Sequence, residues 1–285
     1  MRRTEAMQRA VARKRHWTLD DIPWAQFDAA QVDPDILKVV KAAAMVEHNG
    51  GDYAAYLCSV FHDDPEFQTV ARQWAEEEVQ HGRALAAWAR LADPTFDFDA
   101  GFKRFTDGFK IATESKASIR GSRSGELVAR CIVETGTSSY YAALKDATAE
   151  PVLKEICRNI AADELRHYKL FYDHLRRYLE TEKIGRWKRV AVVLSRVRES
   201  EDDELAYAYY AANESQAVPY DRRRASKAYA RRTFAIYRRS HVERGVAMAL
   251  KAAGLAPHGR LNNWLTGLGY WFLGWRSRRL AAAGI

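Results

Sequence analysis

Six residues of two types recur at a regular spacing in the sequence and could bind metal ions. A Glu-x-x-His motif occurs twice, and a further glutamate lies 31 residues before the first motif and 30 residues before the second. Residues three apart on an α-helix share a face, so each motif can direct a carboxylate and an imidazole at one ion. The predicted ligands are Glu47, Glu78, His81, Glu134, Glu164 and His167.

Both motifs lie in an internal repeat. Residues 71–81 (ARQWAEEEVQH) align with residues 157–167 (CRNIAADELRH) with four identities, which include the glutamate and the histidine of each motif. This repeat indicates two copies of one helical hairpin. In each copy the two glutamates lie about 16 and 14 residues from the intervening turn, so at about 1.5 Å per residue they reach the same level of an antiparallel pair.

The predicted ligands lie on apolar helix faces. Glu47 shares its face with Val40 and Ala44, and Glu164 shares one with Phe171. Four carboxylates in a bundle core would cost many kcal/mol unless their charge were neutralised. Two divalent cations would neutralise them, with the histidines as neutral ligands. Carboxylate and imidazole ligands without thiolate favour iron or manganese over a structural zinc ion.

The surrounding elements are predicted to be helices. Asp33-Pro34, Asp64-Pro65 and Glu150-Pro151 each place a capping carboxylate before a first-turn proline, and Ser124 is expected to cap a fourth helix. No period-two, β-branched segments stand out, so the fold is predicted to be all-α. The predicted helices are 34–62, 65–92, 124–149 and 151–182, then 186–199, 203–214, 221–254 and 260–282, with residues 94–123 as an irregular or short-helix crossover.

The composition of the 285-residue chain is that of a soluble globular protein, with 47% hydrophobic and 29% charged residues. No apolar run approaches the length of a membrane span, and no apolar segment of a secretory signal follows the arginine-rich start. Three cysteines without a CxxC pair give no support for a disulfide framework or a zinc–thiolate site. We therefore expect a cytoplasmic protein.

The positive charge is concentrated at the C-terminal end. From residue 185 onward the chain has 19 basic and 8 acidic residues. Such a region could meet nucleic acid, anionic lipid or an acidic protein, and a solvated basic face accounts for it equally well.

The motifs resemble those of a known family. The segments AEEEVQHG (75–82) and IAADELRH (160–167) are similar to the two motifs of the soluble acyl–acyl carrier protein desaturases, which are ferritin-like di-iron carboxylate proteins. The resemblance spans residues 34–182 and implies a ferritin-like four-helix bundle with a crossover between two helical hairpins and additional C-terminal helices. The C-terminal helices lie outside the resemblance, but no glycine- or serine-rich linker separates them from the bundle. We therefore expect a single domain over 1–285, with an N-terminal arm (1–33), a core bundle (34–184) and a basic helical extension (185–285).

The same resemblance implies a chemistry. The six ligands would hold two iron ions per chain, with manganese left open, and Thr137 matches the family's hydroxyl beside the oxygen-binding face. A helix-interior threonine bonded to its own backbone is the alternative for that residue. The implied reaction is O₂-dependent removal of hydrogen from an unactivated C–H of a fatty acyl chain on acyl carrier protein. Electrons would come from a ferredoxin-like donor, and desaturation and hydroxylation share the first hydrogen abstraction.

Several neighbouring residues are given supporting roles. Glu77 and Asp163 each precede a ligand glutamate and are expected to bond the free ring nitrogen of the histidine in the other half. Tyr141 faces inward and is the best candidate for an oxidisable tyrosine, while Trp74 is interpreted as packing rather than as an electron-transfer residue. Residues interpreted as packing or as non-ligands are Tyr53, Tyr140, Cys131, Cys157, His48, His62 and His174.

Other functions stay open. One is a different substrate on the same centre, such as an amine, an aldehyde or a modified nucleoside. Another class is iron storage or peroxide detoxification, against which the missing CxxC pair and the long extension argue. A third is a radical-storing subunit similar to the small subunit of ribonucleotide reductase, for which Tyr141 is the discriminating feature. No nucleic-acid partner is expected, and a homodimer is suggested only by the resemblance.

Residues 261–279 (LNNWLTGLGYWFLGWRSRR) combine aromatic residues near helical spacing with arginines at one end. We expect Trp264, Leu268, Trp271 and Trp275 to pack on the bundle or on a second subunit. The alternative is an interfacial membrane anchor, which would place the protein at the inner surface of the membrane.

Overall fold

The computed structural model describes residues 16–199 and 203–282. The predicted arm and extension therefore have segments outside the described residues, namely 1–15, 200–202 and 283–285. Within the described residues the chain forms helices and no strand, which confirms the predicted all-α bundle. The helices are α1 (Pro34–His48), α2 (Gly50–Val60), α3 (Pro65–Ala92), α4 (Phe98–Gly108), α5 (Arg123–Ala147), α6 (Pro151–Glu182), α7 (Arg186–Arg198), α8 (Asp203–Asn213), α9 (Arg222–Ala235), α10 (Arg239–Ala253) and α11 (Arg260–Ala282).

The acidic residues before the three prolines cap their helices as the sequence predicts. Asp33, Asp64 and Glu150 accept hydrogen bonds from backbone N–H groups in the first turns of α1, α3 and α6. The prediction that Ser124 caps α5 is wrong, because Ser122 accepts the bond from the Gly125 N–H at 3.0 Å. Ser124 lies buried in the first turn.

Two predicted helices are interrupted. The predicted helix 34–62 breaks at Asn49 into α1 and α2, where the chain runs so close to α3 that only glycine fits at position 50. The predicted helix 221–254 breaks between α9 and α10. There the His241 imidazole accepts a 3.0 Å hydrogen bond from the Arg238 N–H and contacts Asp146, so a side-chain cap replaces the glycine or proline that usually marks a helix boundary.

Two hairpins form the centre of the fold. In one, α1 and α2 pack on α3, and in the other α5 packs along α6; α3 and α6 join the two. The buried apolar side chains separate into two clusters along the bundle, one containing Leu85, Leu144 and Leu153 and the other containing Leu57 and Phe171. On every core helix the predicted ligands fall between the two clusters, so they form one polar layer enclosed by apolar packing.

The remaining helices cover the bundle from outside. Helix α8 packs on α1, α7 and α10 pack on α5, and α11 lies on α9 and α10. The segment before α1 contains three short 3₁₀ turns, and its Trp17 side chain reaches α6. Among the described residues no helix combines the length and hydropathy that a bilayer span requires.

Candidate metal centre

The six predicted ligands meet in the layer between the apolar clusters. Helix α1 supplies Glu47 at its last turn, α3 supplies Glu78 and His81, α5 supplies Glu134, and α6 supplies the remaining pair. All six are buried, and none has more than 8% of its surface exposed.

The side chains form two overlapping groups, each able to hold one ion. The first is Glu47, Glu78, His81 and Glu164, and the second is Glu78, Glu134, Glu164 and His167. In each group the ligand atoms lie within 4.8 Å of one another. Glu78 and Glu164 belong to both groups and would be shared if each group held an ion.

Each histidine lies closest to carboxylates from other helices rather than to the glutamate of its own motif. His81 Nδ1 is 3.3 Å from Glu164 Oε1 and 3.4 Å from Glu47 Oε2. His167 Nδ1 is 3.0 Å from Glu78 Oε1. The two motifs therefore cross, and both halves of the repeat contribute to both groups.

The donor atoms fit a pair of cations. Each of the six residues has a buried nitrogen or oxygen atom with no hydrogen-bond partner. A buried polar atom without a partner costs about 1–3 kcal/mol, so six in one layer require a common compensation. Cations bound among them would provide it. The atoms are Glu47 Oε2, Glu78 Oε1, His81 Nδ1, Glu134 Oε1, Glu164 Oε1 and His167 Nδ1.

The outer nitrogen of each histidine bonds a carboxylate from the other half, as expected from the sequence. His81 Nε2 lies 3.0 Å from Asp163 Oδ2, and His167 Nε2 lies 3.0 Å from Glu77 Oε2. Arg166 forms ion pairs with both of these carboxylates. An N–H on Nε2 leaves the lone pair of Nδ1 directed into the centre, where it can bind metal.

Burial and charge shift the pKa values in the layer. Burial, and then the neighbouring carboxylates, raise the pKa of Glu78 and of Glu134 well above the usual range. Burial opposes ionisation of Glu164, yet the two imidazoles hold its pKa below the usual value. Burial likewise opposes protonation of His81, but Asp163, Glu164 and Glu47 raise its pKa well above 6.5. Without a cation, protons must therefore balance the charge of this layer, and metal binding displaces them.

Two hydroxyl groups contact the layer. Thr137 Oγ1 donates a 2.5 Å hydrogen bond to Glu164 Oε2 and also lies within 3.2–3.3 Å of two backbone carbonyls of its own helix. Thr137 therefore bonds its own backbone, as the alternative interpretation expects, and also contacts a candidate ligand. The Tyr141 hydroxyl donates a 2.6 Å bond to Glu47 Oε1, and its ring is 1% exposed.

Two glycines permit the close approach of α1 and α2 to α3. A Cβ atom at Gly50 would lie 2.6 Å from the Glu78 Cβ, and one at Gly82 would lie 2.6 Å from the His48 backbone nitrogen. Both distances are far below van der Waals contact. The helices can therefore bring Glu47 and Glu78 together only because these positions lack side chains.

Trp17 is a contact of the centre that sequence reasoning missed. Its indole N–H donates a 2.7 Å hydrogen bond to Asp163 Oδ2, and its ring stacks on His81 with centroids 6.0 Å apart. Gln80 Nε2 donates to its backbone carbonyl at 2.8 Å. No local pattern marks Trp17, because its partners lie at least 63 residues away in the chain.

The residues interpreted as non-ligands lie outside both groups. His48 packs edge-on against Phe98 and Phe102, and His174 packs against Phe67. Trp74 is buried edge-on against Phe171, with its ring centroid 6.4 Å from that of His167. The side chains that belong to the apolar clusters or pack against them are Tyr53, Tyr140, Cys131 and Cys157.

Comparison with known proteins places this centre in a family. The family model described as fatty acid desaturase matches residues 29–197, which is more than half of the chain and includes all six candidate ligands. The chain belongs to the fatty acid desaturase family. No curated protein matches the chain significantly.

Proposed function

We propose that the protein is a di-iron, O₂-dependent oxidoreductase that removes hydrogen from an unactivated C–H of a fatty acyl chain. The most direct form of this activity is desaturation of an acyl group carried on acyl carrier protein. Hydroxylation on another lipid or small-molecule substrate is the alternative on the same scaffold, because both reactions begin with the same abstraction.

The observation that carries the proposal is the pair of overlapping ligand groups with six unpartnered donor atoms. Membership of the fatty acid desaturase family supports the acyl substrate. The two findings fall on the same residues, since the family match covers α1, α3, α5 and α6, the four helices that would form a ferritin-like bundle. A ferritin-like protein that stores iron or removes peroxide would use the same ligands, but the family membership favours oxidation of a fatty acyl chain.

Carboxylate and imidazole donors suit iron, with manganese as the alternative metal. Glu47 and His81 would bind one ion, and Glu134 and His167 would bind the other. Glu78 and Glu164 could contribute to both. Two bound iron ions would supply the redox chemistry that O₂ activation needs. Four glutamates bring four negative charges, which two divalent ions cancel.

The protein's own groups orient this centre and keep water out. Asp163 and Glu77 hold the Nε2–H of each histidine, which fixes the ring and leaves Nδ1 for the metal. The Thr137 hydroxyl holds a proton at Oγ1 beside the shared Glu164 and can pass it to that carboxylate. The apolar clusters on both sides exclude water from the layer.

Two protein partners are part of the proposal. Acyl carrier protein and ferredoxin-like donors are acidic, and the basic extension from residue 185 onward offers them a complementary charge. A cytoplasmic location stays a prediction. Neither partner is required for the metal site itself, so the centre and its partners can be tested separately.

Mass spectrometry after a single turnover tests the proposal. Iron-loaded, chemically reduced protein is mixed with oxygenated buffer and a panel of acyl carrier protein thioesters of different chain length. A product lighter by two hydrogen atoms establishes a desaturase, and one heavier by an oxygen atom establishes a hydroxylase. An unchanged acyl chain at every length, with two irons bound per chain, would refute the acyl carrier protein substrate.

The hydrogen bond between Tyr141 and Glu47 favours a second candidate function, radical storage on a tyrosine. If metal ions bound there oxidised this phenol, its proton could pass to Glu47 Oε1, which already accepts the hydrogen bond. An electron paramagnetic resonance spectrum recorded after O₂ exposure separates the two functions. A stable tyrosyl signal that disappears in Tyr141→Phe would support radical storage, and its absence would exclude it.

A further inference from the structure

Helix α11 presents a row of large apolar side chains to solvent. Trp264, Leu268, Trp271 and Trp275 are 64%, 48%, 59% and 39% exposed. Their spacing of four, three and four residues places them on one helix face, which we call the tryptophan face. The expectation that this face packs on the bundle is wrong, because the helix lies on α9 and α10 with its other side.

Near the start of α11 the side that faces the protein is polar, and Leu280 is the buried apolar residue near its end. Asn262 and Thr266 are 2% and 0% exposed. They satisfy each other, since Thr266 Oγ1 donates to Asn262 Oδ1 at 2.9 Å and Asn262 Nδ2 donates to the Pro257 carbonyl at 2.5 Å. A surface helix normally buries its apolar face and exposes its polar one. Over its first turns helix α11 has the opposite arrangement, and the tryptophan face stays exposed within the described part of the chain, where it can meet a partner.

The charged side chains of helix α11 itself are all positive. Helix α11 carries Arg260 at its start and Arg276, Arg278 and Arg279 near its end. No aspartate or glutamate occurs anywhere in residues 244–285. The Arg279 guanidinium lies 5.4 Å from the centre of the Trp275 ring, so cationic and aromatic groups are adjacent at this end. The partner must therefore offer an apolar layer beside anionic groups.

We propose that the tryptophan face docks the protein on the surface of an anionic lipid bilayer. Tryptophan favours the boundary between headgroups and acyl chains, and arginines beside it pair with lipid phosphates. An amphipathic helix with aromatic residues on one side and arginines at its ends lies in the plane of that boundary. The proposal rests on α11 alone and does not depend on the reaction at the metal centre.

A second copy of the chain fits this face less well than lipid does. A two-fold contact would bring each tryptophan face against its own copy. Arginines from both copies would then lie near one another, and α11 has no acidic residue to compensate them. Anionic headgroups supply that compensation, and the acyl layer covers the tryptophans.

Flotation with vesicles tests the proposal directly. The full-length protein is mixed with vesicles of phosphatidylcholine, or with vesicles of equal parts phosphatidylcholine and phosphatidylglycerol. We expect the wild type to float with the anionic vesicles and to bind them less at high salt. Replacing both Trp264 and Trp271 with serine is expected to lower the partition coefficient by about tenfold or more.

Trp187 provides the matched control, because it is 78% exposed but lies on α7. Trp187→Ser is expected to float as the wild type does. A loss in Trp187→Ser equal to that in the double variant of Trp264 and Trp271 would show that exposed tryptophans in general cause the binding, and it would overturn the assignment to α11. Far-UV circular dichroism and thermal unfolding check that all variants fold, which exposed positions should allow.

The arginines give a second, independent variant. Replacing Arg278 and Arg279 with glutamine leaves the tryptophans in place and is expected to weaken binding to anionic vesicles about fivefold for each arginine. Binding that is equal for both vesicle types would overturn the electrostatic part of the proposal. Failure of the wild type to float, together with a dimer in sedimentation that the tryptophan variants dissociate, would assign the face to a second copy instead.

Discussion

The Thr137 hydroxyl lies 2.5 Å from Glu164 Oε2, so a small side chain of α5 is tied to a carboxylate shared by both ligand groups. Replacing Thr137 with valine keeps the shape of the side chain and removes the hydroxyl proton that is donated to Glu164. We expect the fraction of consumed O₂ that appears as oxidised product to fall several-fold, while the unfolding free energy falls by about 1–3 kcal/mol. Oxygen uptake measured alongside product mass spectrometry gives this fraction.

Thr135 is the matched control for this substitution. Its hydroxyl donates only to the Cys131 carbonyl of its own helix, at 2.7 Å. Thr135→Val should leave the coupling between oxygen and product unchanged, and Thr137→Ser should restore it. Equal uncoupling in Thr135→Val and Thr137→Val would remove the special role assigned to the contact with Glu164.

The outer carboxylates should control metal affinity. Asp163→Asn and Glu77→Gln keep the size of each side chain but weaken its hold on the histidine N–H. We expect each to lower affinity for ferrous iron by about 10- to 100-fold, as measured by competition with a chromophoric chelator. Asp173→Asn on the same helix is the control, since Asp173 contacts the exposed Lys169. Unchanged affinity in both Asp163→Asn and Glu77→Gln would refute the positioning role.

Close packing at Gly82 should be essential to stability. In Gly82→Ala the new methyl group meets backbone atoms of His48, which cannot rotate away. We expect a loss of about 1–3 kcal/mol in unfolding free energy, measured by urea titration. Gly136 on α5 is the control, because an added Cβ there would have nothing within 4 Å. For Gly136→Ala we expect a gain of up to about 1 kcal/mol. The opposite order of stability would contradict the packing.

The Lys41–Asp93 ion pair should make stability depend on acid pH. The 2.6 Å hydrogen bond from Lys41 lowers the pKa of Asp93 from 3.8 to about 2. A lowered carboxyl pKa stabilises the fold above pH 3.8, and this contribution is lost as the pH falls toward 2. We expect Asp93→Asn to cost about 1–2 kcal/mol at pH 7 and to differ little from the wild type near pH 2.

Asp107 supplies the comparison for that pair. Its carboxylate pairs with Lys103 on the exposed side of α4, where solvent weakens the interaction. Asp107→Asn should therefore unfold like the wild type at pH 7. A destabilisation of Asp93→Asn that persisted unchanged at pH 2 would mean that packing, rather than charge, causes it.

The ligand layer could be predicted from the sequence because it depends on the spacing of residues within helices and on the internal repeat. Helical periodicity places a Glu-x-x-His motif on one face, and the internal repeat places the two motifs at the same depth. The contacts of Glu77 with His167 and of Asp163 with His81 follow from the same alignment of the two repeats. The helix break at Asn49 also has a local signal, the two glycines at 50 and 51. Its cause is visible only in the structure, where Gly50 lies too close to Glu78 for any side chain.

Other features depend on contacts that no sequence pattern marks. Glu78 and Glu164 are shared between groups because the two hairpins cross, which spacing within one helix does not determine. The break between α9 and α10 is stabilised by His241 without glycine or proline. The outward tryptophan face is another example, since the spacing of Trp264 and Trp271 defines a face but not the direction in which it points.

The contact between Trp17 and Asp163 joins residues 146 positions apart, and it has a consequence for the order of assembly. During synthesis Trp17 is added long before Asp163, its hydrogen-bond partner on α6. The contacts that surround His81 therefore cannot all form until that part of α6 has been synthesised. A chain that ends before residue 167 therefore lacks part of the ligand set, even when the first hairpin has folded. Synthesis of His167 therefore sets the earliest time at which the whole ligand layer can form.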